Sequence, residues 1–359
     1  MKITHIHIER FRGFQNEDFE VGSLLTAIAG QNGTQKSTLL GIITQTFTLK
    51  TEDSMRVEKP LCGGSYISAF KDKFRLSPTF DKPKGHEWTI SFDAGMDDFT
   101  VESIKRTGDP NVRFWKKGAR QEGDGYISFP TIFLSLKRLV PVAEEAKIIT
   151  DDTLLTQEEL NEFKQLHNKI LIAQTPISSA TTITSKNKQS IGVSTELYDW
   201  NQNSMGQDNL GKIILALFSF KRLHDKYPRQ YKGGILAIDE MDATMYPASQ
   251  VELLKVLRKY ASKLNLQILF TTHSMSLLKA MDDLVQEVTK KEETANQAKI
   301  LYLKKVDDKI AIKQGVNFKG IQLDLNVVAE GNNRKKNRIT AYTEDKENIL
   351  FVKAILKSK

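Results

Sequence analysis

Lys36 and Ser37 close the run Gly30-Gln-Asn-Gly-Thr-Gln-Lys-Ser37, in which two glycines precede a lysine and a hydroxyl. Glycines let backbone amides turn inward, the lysine adds a point charge, and the serine hydroxyl is a hard oxygen for Mg²⁺; the run is suited to cradle phosphates. It has the layout of a Walker A loop, except that Gln35 stands where the second required glycine belongs. The expected phosphate contacts come from Gly30, Gln31, Asn32, Gly33, Thr34, Gln35, Lys36, Ser37 and Thr38, with Gly33 carrying part of the backbone freedom. Gln35 bears on the speed of turnover more than on binding.

Three further groups complete a phosphoryl-transfer set. Ile235-Leu-Ala-Ile-Asp239-Glu240 is an apolar strand ending in two carboxylates. Asp239 suits the Mg²⁺ shell, and Glu240 suits orientation or deprotonation of an attacking water. Taken alone, such a pair is as often a turn or a helix cap. His273 follows the apolar run Ile268-Leu-Phe-Thr-Thr272, which in a parallel sheet delivers it to the edge that carries Lys36 and Asp239, where a γ-phosphate sensor belongs. Asn203-Ser-Met-Gly-Gln207 offers a hydroxyl at Ser204, close approach at Gly206 and free amides at a helix start. In isolation that is more often an ordinary N-cap.

The elements that must position these groups follow from periodicity. Alternating apolar residues over 2–10 and the apolar run Leu24 to Ala29 predict strands, and Ser37 onward has helical spacing. Strand, glycine loop and helix is the order a phosphate site needs. Residues 52–130 hold short apolar bursts broken by Gly, Pro and Asp, which predicts an antiparallel β arm. A strand is expected over 131–136 and a helix over 151–173, and the Ser/Thr-rich span 175–194 reads as an exposed loop. Helices over 210–223, 249–264 and 274–281 alternate with strands over 234–238 and 267–271, which predicts a mostly parallel sheet flanked by helices. The expected fold class is therefore α/β.

At 359 residues and 40% hydrophobic content the chain can bury a full core. It carries no apolar run of the roughly 18 to 20 residues that a membrane span needs, and its start, Met1-Lys-Ile-Thr-His-Ile, is unlike a signal peptide. A cytoplasmic protein without membrane contact is expected. One cysteine, Cys62, excludes an internal disulfide framework. The net charge of +8 suits contact with nucleic acid but does not demand it; the densest basic run, Arg334 to Arg338, reads equally as a solvated linker.

In order, Gly30 to Thr38, Ser204-Met-Gly-Gln207, Ile235 to Glu240 and Thr272-His273-Ser274 resemble the ABC-type ATPase heads of SMC, RecF and OLD proteins. The opening Ile6-His-Ile-Glu-Arg-Phe-Arg-Gly-Phe14 is also similar to those families, and the likeness covers most of residues 1–315. The resemblance implies an ABC-type P-loop NTPase that binds and hydrolyses ATP with Mg²⁺. Lys36, Glu240 and His273 would be catalytic, and Ser37 and Asp239 would hold the metal. Ser204, Gly206 and Gln207 would meet ATP bound by a second copy of the chain. The family signature reads Leu-Ser-Gly-Gly-Gln, from which Asn203 and Met205 depart. Asp242 resembles the acid of the loop after the Walker B strand. A family glutamine joining nucleotide to the arm would lie between residues 45 and 140, where the letters single out none.

The absence of long heptads favours the compact OLD and RecF-like members. The tail Ile339 to Leu356 looks like the opening strand and helix of a Toprim domain, with Glu344 at its catalytic acid, although a charged helix start gives the same letters. The expected layout is an ATPase domain over 1–320, with its β arm and an insertion at about 150–195, a basic linker over 321–338, and an incomplete Toprim-like start over 339–359. Such a chain would not be a whole nuclease. Its ATP-dependent dimer would instead control a nuclease domain or subunit in bacterial anti-phage defence. Two rival expectations are a RecF-like ATP-dependent DNA clamp and a nucleotide-sensing scaffold with negligible turnover, the latter motivated by Gln35 and Met205.

Overall fold

A computed structural model describes residues 1–330, apart from 68–69, 78, 94, 106–111, 120–124, 140–146, 152–153 and 186–188. Strand β1 (Ile3–Phe11) turns at Arg12 and Gly13 into β2 (Phe14–Glu20), with Phe11 opposite Phe14. The wholly buried β3 (Leu25–Gly30) leads through the glycine loop into α1 (Lys36–Gln45). After the two-residue β4 (Phe47–Thr48) and the single turn α2 (Phe70–Lys73) come β5 (Glu87–Phe92), β6 (Phe99–Lys105) and β7 (Val112–Lys116).

These last three are the expected antiparallel arm, but it is not a separate appendage. β5 pairs with the free edge of β1, giving a five-stranded sheet ordered β2-β1-β5-β6-β7. An unpaired strand edge is a row of unsatisfied amides and carbonyls, and β5 satisfies it. Phe11, Trp88 and Phe114 then stack with ring centroids 5.1 to 5.7 Å apart, each such pair contributing about 1 kcal/mol beyond its buried area.

β8 (Ile127–Ser128) pairs with β4, and β9 (Thr131–Leu134) enters the main sheet. β10 (Ile149–Asp151) precedes α3 (Gln157–Leu171). That helix starts later than its expected Asp151, because Thr156 and Glu159 form a reciprocal capping box. The span expected to be a loop holds β11 (Ser179–Thr184) and β12 (Gln189–Ser194), paired in register and joined to β10. Its threonines are β-branched and its Ile183, Ile191 and Val193 are buried, so a hairpin satisfies what looked like unpatterned polarity.

The rest alternates as expected: α4 (Met205–Lys226), β13 (Gly234–Ile238), α5 (Pro247–Lys263), β14 (Leu266–Thr272) and α6 (Met275–Val288). β15 (Ala298–Val306) and β16 (Lys309–Lys313) complete a six-stranded sheet ordered β16-β15-β3-β14-β13-β9, parallel except for the β15–β16 hairpin. Gln267 stitches the two large sheets together. Its side chain accepts from the Ile3 amide at 2.7 Å and donates to the carbonyls of Ile3 and Gly22 at 2.8 and 3.1 Å, leaving no buried polar atom of the amide unpaired.

Met1–Phe318 is one unit and Lys319–Lys359 a second. Helix α7 (Phe318–Glu330) supplies the described residues of the second, where a linker was expected from 321. Arg334 to Arg338, the Toprim-like tail and Glu344 lie outside the described residues. No helix among the described residues is long and apolar enough to cross a membrane.

Candidate nucleotide site

Register alone gathers the candidate residues. β3, β14, β13 and β9 run parallel as neighbours, with Ala29 opposite Thr272, Phe270 opposite Ile238, and Ile238 opposite Leu134. Their carboxyl ends therefore form one edge, and Gly30, His273 and Asp239 emerge together on it.

At the loop, Gly30 has φ 150° and a Cβ there would lie 2.5 Å from the Leu303 carbonyl oxygen, so only glycine fits. Gly33 is left-handed as well, with φ 81°. Gln35, the residue in place of the second glycine, adopts φ 63° and ψ 32°, the left-handed helical conformation. The backbone thus keeps the shape that a glycine would give it, at a steric cost of about 1 kcal/mol. Thr34 Oγ1 donates to the Gln31 carbonyl at 2.8 Å, and Asn32 and Gly33 are exposed. The Lys36 ammonium folds across the loop, donating to the carbonyls of Gly30 and Gln31 at 3.1 and 2.9 Å. Burial lowers its pKa, against the opposing pull of Glu240, Asp239 and Asp242.

Ser37 Oγ donates to Asp239 Oδ1 at 2.8 Å, so the two expected metal-holding residues meet. Thr271 Oγ1 donates to the same carboxylate oxygen at 2.7 Å and accepts from the Glu240 amide at 2.6 Å. Glu240 has φ 48°, a left-handed backbone position uncommon for a non-glycine residue. The His273 amide lies 3.4 Å from Asp242 Oδ1. Burial, and then the charge of Lys36, lower the His273 pKa.

Thr38 Oγ1 faces Arg12 Nη1 at 3.4 Å, and Arg12 is held in turn by Asp81 through Nε and Nη2 at 3.1 and 3.0 Å. The β1–β2 turn is thereby tied to the helix after the loop.

Ser204, Gly206 and Gln207 stand apart from this cluster. Ser204 caps α4, accepting from the Gln207 amide at 3.4 Å while the Gln207 side chain accepts from the Ser204 amide at 2.9 Å. Gln207 Nε2 also donates to the Tyr198 hydroxyl at 2.8 Å. Ser204 and Met205 are exposed. Gly206 is buried against the loop after β13, where a Cβ would lie 2.5 Å from the Thr244 carbonyl oxygen.

Three positioning residues had little or no signal in the sequence. Thr271 is visible only as the first residue of Thr271-Thr-His273. Tyr198 lacks any motif. Arg138, in Leu136-Lys-Arg-Leu139, reads as a surface basic pair, yet it is 2% exposed. Its Nε donates to Asn209 Oδ1 at 2.7 Å and its Nη2 to the Glu240 carbonyl at 2.7 Å.

The donor set can be tested for a divalent cation by its chemistry. A serine hydroxyl and a carboxylate that already share a hydrogen bond are hard oxygens in contact, which suits Mg²⁺ completed by phosphate and water. Among the described residues no cluster of three or more His, Cys, Asp or Glu forms a metal cage.

Residues 137–278 match the family model described as an AAA ATPase domain. That span includes Arg138, Ser204 to Gln207, Asp239, Glu240 and His273, and it excludes Gly30 to Thr38. Among solved structures, the SMC head domain from Thermotoga maritima is 14% identical with a TM-score of 0.48, covering 88% of this chain and 100% of that one. The Smc head domain with an extended coiled coil, bound to the C-terminal domain of ScpA and derived from Pyrococcus furiosus, is 12% identical with a TM-score of 0.48, covering 91% and 99%. The recombination mediator protein RecF is 12% identical with a TM-score of 0.43, covering 88% and 98%. No curated protein sequence matches the chain significantly.

Proposed function

We propose that this chain is an ATP-binding and ATP-hydrolysing module whose site is completed by a second copy of itself. The observation that carries the reading is the joining of Ser37, Asp239 and Thr271 by hydrogen bonds at the edge where Lys36 ends its loop and Glu240 begins its turn. The family match over residues 137–278 supports an ATPase domain.

In this reading the loop amides and Lys36 hold the phosphates, and Ser37 and Asp239 would hold Mg²⁺, which would supply charge neutralisation to the phosphates. Glu240 accepts the proton of the attacking water, and a contribution of about 10²- to 10⁴-fold is expected from a group in that role. His273 senses the γ-phosphate. Ser204, Gly206 and Gln207, at the start of α4 where Ser204 is exposed, face the nucleotide of the second copy. The test is Mg²⁺-dependent phosphate release by the wild-type chain and by Glu240→Gln. Hydrolysis that Glu240→Gln abolishes while nucleotide binding persists is expected; equal, near-background rates would support a sensor without turnover, the alternative that Gln35 and Met205 motivate.

The finer reading is that the ATP-dependent pair controls a nuclease in anti-phage defence, as in OLD-like systems. Its support is the tail Ile339 to Leu356, whose pattern resembles a Toprim start with Glu344 as the acid. A longer form of the chain, or products of neighbouring genes, would then give metal-dependent cleavage of nucleic acid under nucleotide control. Loss of cleavage in every nucleotide state would sink that reading, and salt-dependent DNA binding seen only with ATP would favour a RecF-like clamp.

A further inference from the structure

Arg138 is a buried cation whose partners come from three separate pieces of chain. Besides Asn209 and the Glu240 carbonyl, its Nη1 donates to the carbonyls of Leu134 and Ser135 at 3.3 and 3.1 Å. Burial lowers its pKa to about 10, although Asp239, Glu240 and Asp242 oppose the shift, so it is charged at neutral pH. A guanidinium desolvated this far is sustained only when its donors are matched. Asn209 extends the contact, donating from Nδ2 to the Ala243 carbonyl at 2.9 Å. One turn earlier on the same helix, Gly206 presses against the Thr244 carbonyl oxygen.

The first turns of α4 thus meet residues 240–244 at two points, the Asn209–Ala243 hydrogen bond and the close approach of Gly206 to Thr244, and Arg138 joins both to the end of β9. We propose that Arg138 is a positioning residue. It holds the acids that serve the chain's own nucleotide and the Ser204–Gly206 segment offered to a second copy as one rigid body, so that a change at either is felt at the other. The proposal rests on the ATPase reading for its consequence, but the fastening itself is independent of it. Lysine keeps the charge and can replace only part of the fork, because an ammonium is a point donor and a guanidinium is planar.

The experiment pairs amide hydrogen exchange with steady-state kinetics on the full chain, comparing wild type, Arg138→Lys and, as a milder second variant, Asn209→Ala. The expected result is exchange faster by about tenfold or more, together, in residues 206–211 and 240–245. In kinetics, kcat should fall about tenfold while the KM for ATP and the affinity for a fluorescent ATP analogue stay within about twofold. Loosening of one segment alone, or of neither, overturns the fastening. Wild-type kinetics in a variant whose two segments have loosened overturns its functional role, as does loss of ATP binding in parallel with kcat. If Arg138→Lys does not fold, Asn209→Ala decides on the same criteria. If the wild-type chain hydrolyses no ATP, the ATPase reading falls, and the exchange pattern still decides whether the fastening exists.

Discussion

Ser37 Oγ and Asp239 Oδ1 lie 2.8 Å apart although 202 positions separate them in the chain. The hydroxyl sits at the start of the helix that follows the glycine loop, and the carboxylate is the first residue beyond β13. Thr271 closes the arrangement from the neighbouring strand, with one hydroxyl serving both acids: it donates to the Asp239 carboxylate and accepts from the Glu240 backbone.

Thr271→Val keeps the shape of the side chain and removes both bonds. Orienting partners of metal-holding groups cost about 10- to 100-fold in affinity or activity when lost, and a drop of that size in Mg²⁺-dependent turnover is expected. Titration of activity against Mg²⁺ checks it, and an unchanged Mg²⁺ response would show that Asp239 is held without Thr271.

Gln35→Gly removes a left-handed non-glycine residue, with φ 63°. Its side chain contributes little to offset the strain, since Oε1 is buried without a hydrogen-bond partner. A gain of up to about 1 kcal/mol is expected, less the extra freedom of glycine in the unfolded chain. The urea midpoint at constant slope measures it. The opposite sign would mean that packing of the Gln35 amide over Gly13, where an added Cβ would meet its Nε2 at 2.8 Å, outweighs the backbone strain.

Gly206→Ala places a Cβ 2.5 Å from a backbone oxygen that cannot rotate away. Overpacking of this kind costs about 1 to 3 kcal/mol, read as a lower midpoint of unfolding. ATP-dependent self-association of the chain, followed by analytical ultracentrifugation, should weaken more than ATP binding to the single chain. Equal loss of both would argue against a role for this segment in pairing.

His167 is buried on α3, and burial lowers its pKa to about 4 against the opposing pull of the neighbouring Asn168 side chain. The unfolded chain, with an ordinary imidazole near 6.5, binds the proton first as pH falls. The stability tied to the neutral ring is therefore complete above about pH 6.5, erodes below it, and is lost once pH passes about 4, with an upper bound of about 3 kcal/mol. His167→Leu should flatten the loss of stability between pH 7.5 and 5. A slope unchanged by the substitution assigns the acid sensitivity elsewhere.

Much of this site is legible from the order of residues, because its parts are local. A glycine run before Lys36-Ser37, an apolar strand ending in Asp239-Glu240, and an apolar run ending at His273 each carry their chemistry in consecutive letters. Strands that are buried on both faces read as continuous apolar runs, so β3, β13 and β14 and their parallel order follow from the sequence. What tertiary structure alone decided is non-local. The pairing of β5 with β1 depends on a free edge that no letter marks, and the β11–β12 hairpin depends on burial of Ile183, Ile191 and Val193 beneath a polar composition. Arg138 is the sharpest case. An arginine in a basic pair is ordinarily a solvated side chain, and only the meeting of β9, α4 and the Glu240 turn supplies enough oxygens to keep this one buried and charged.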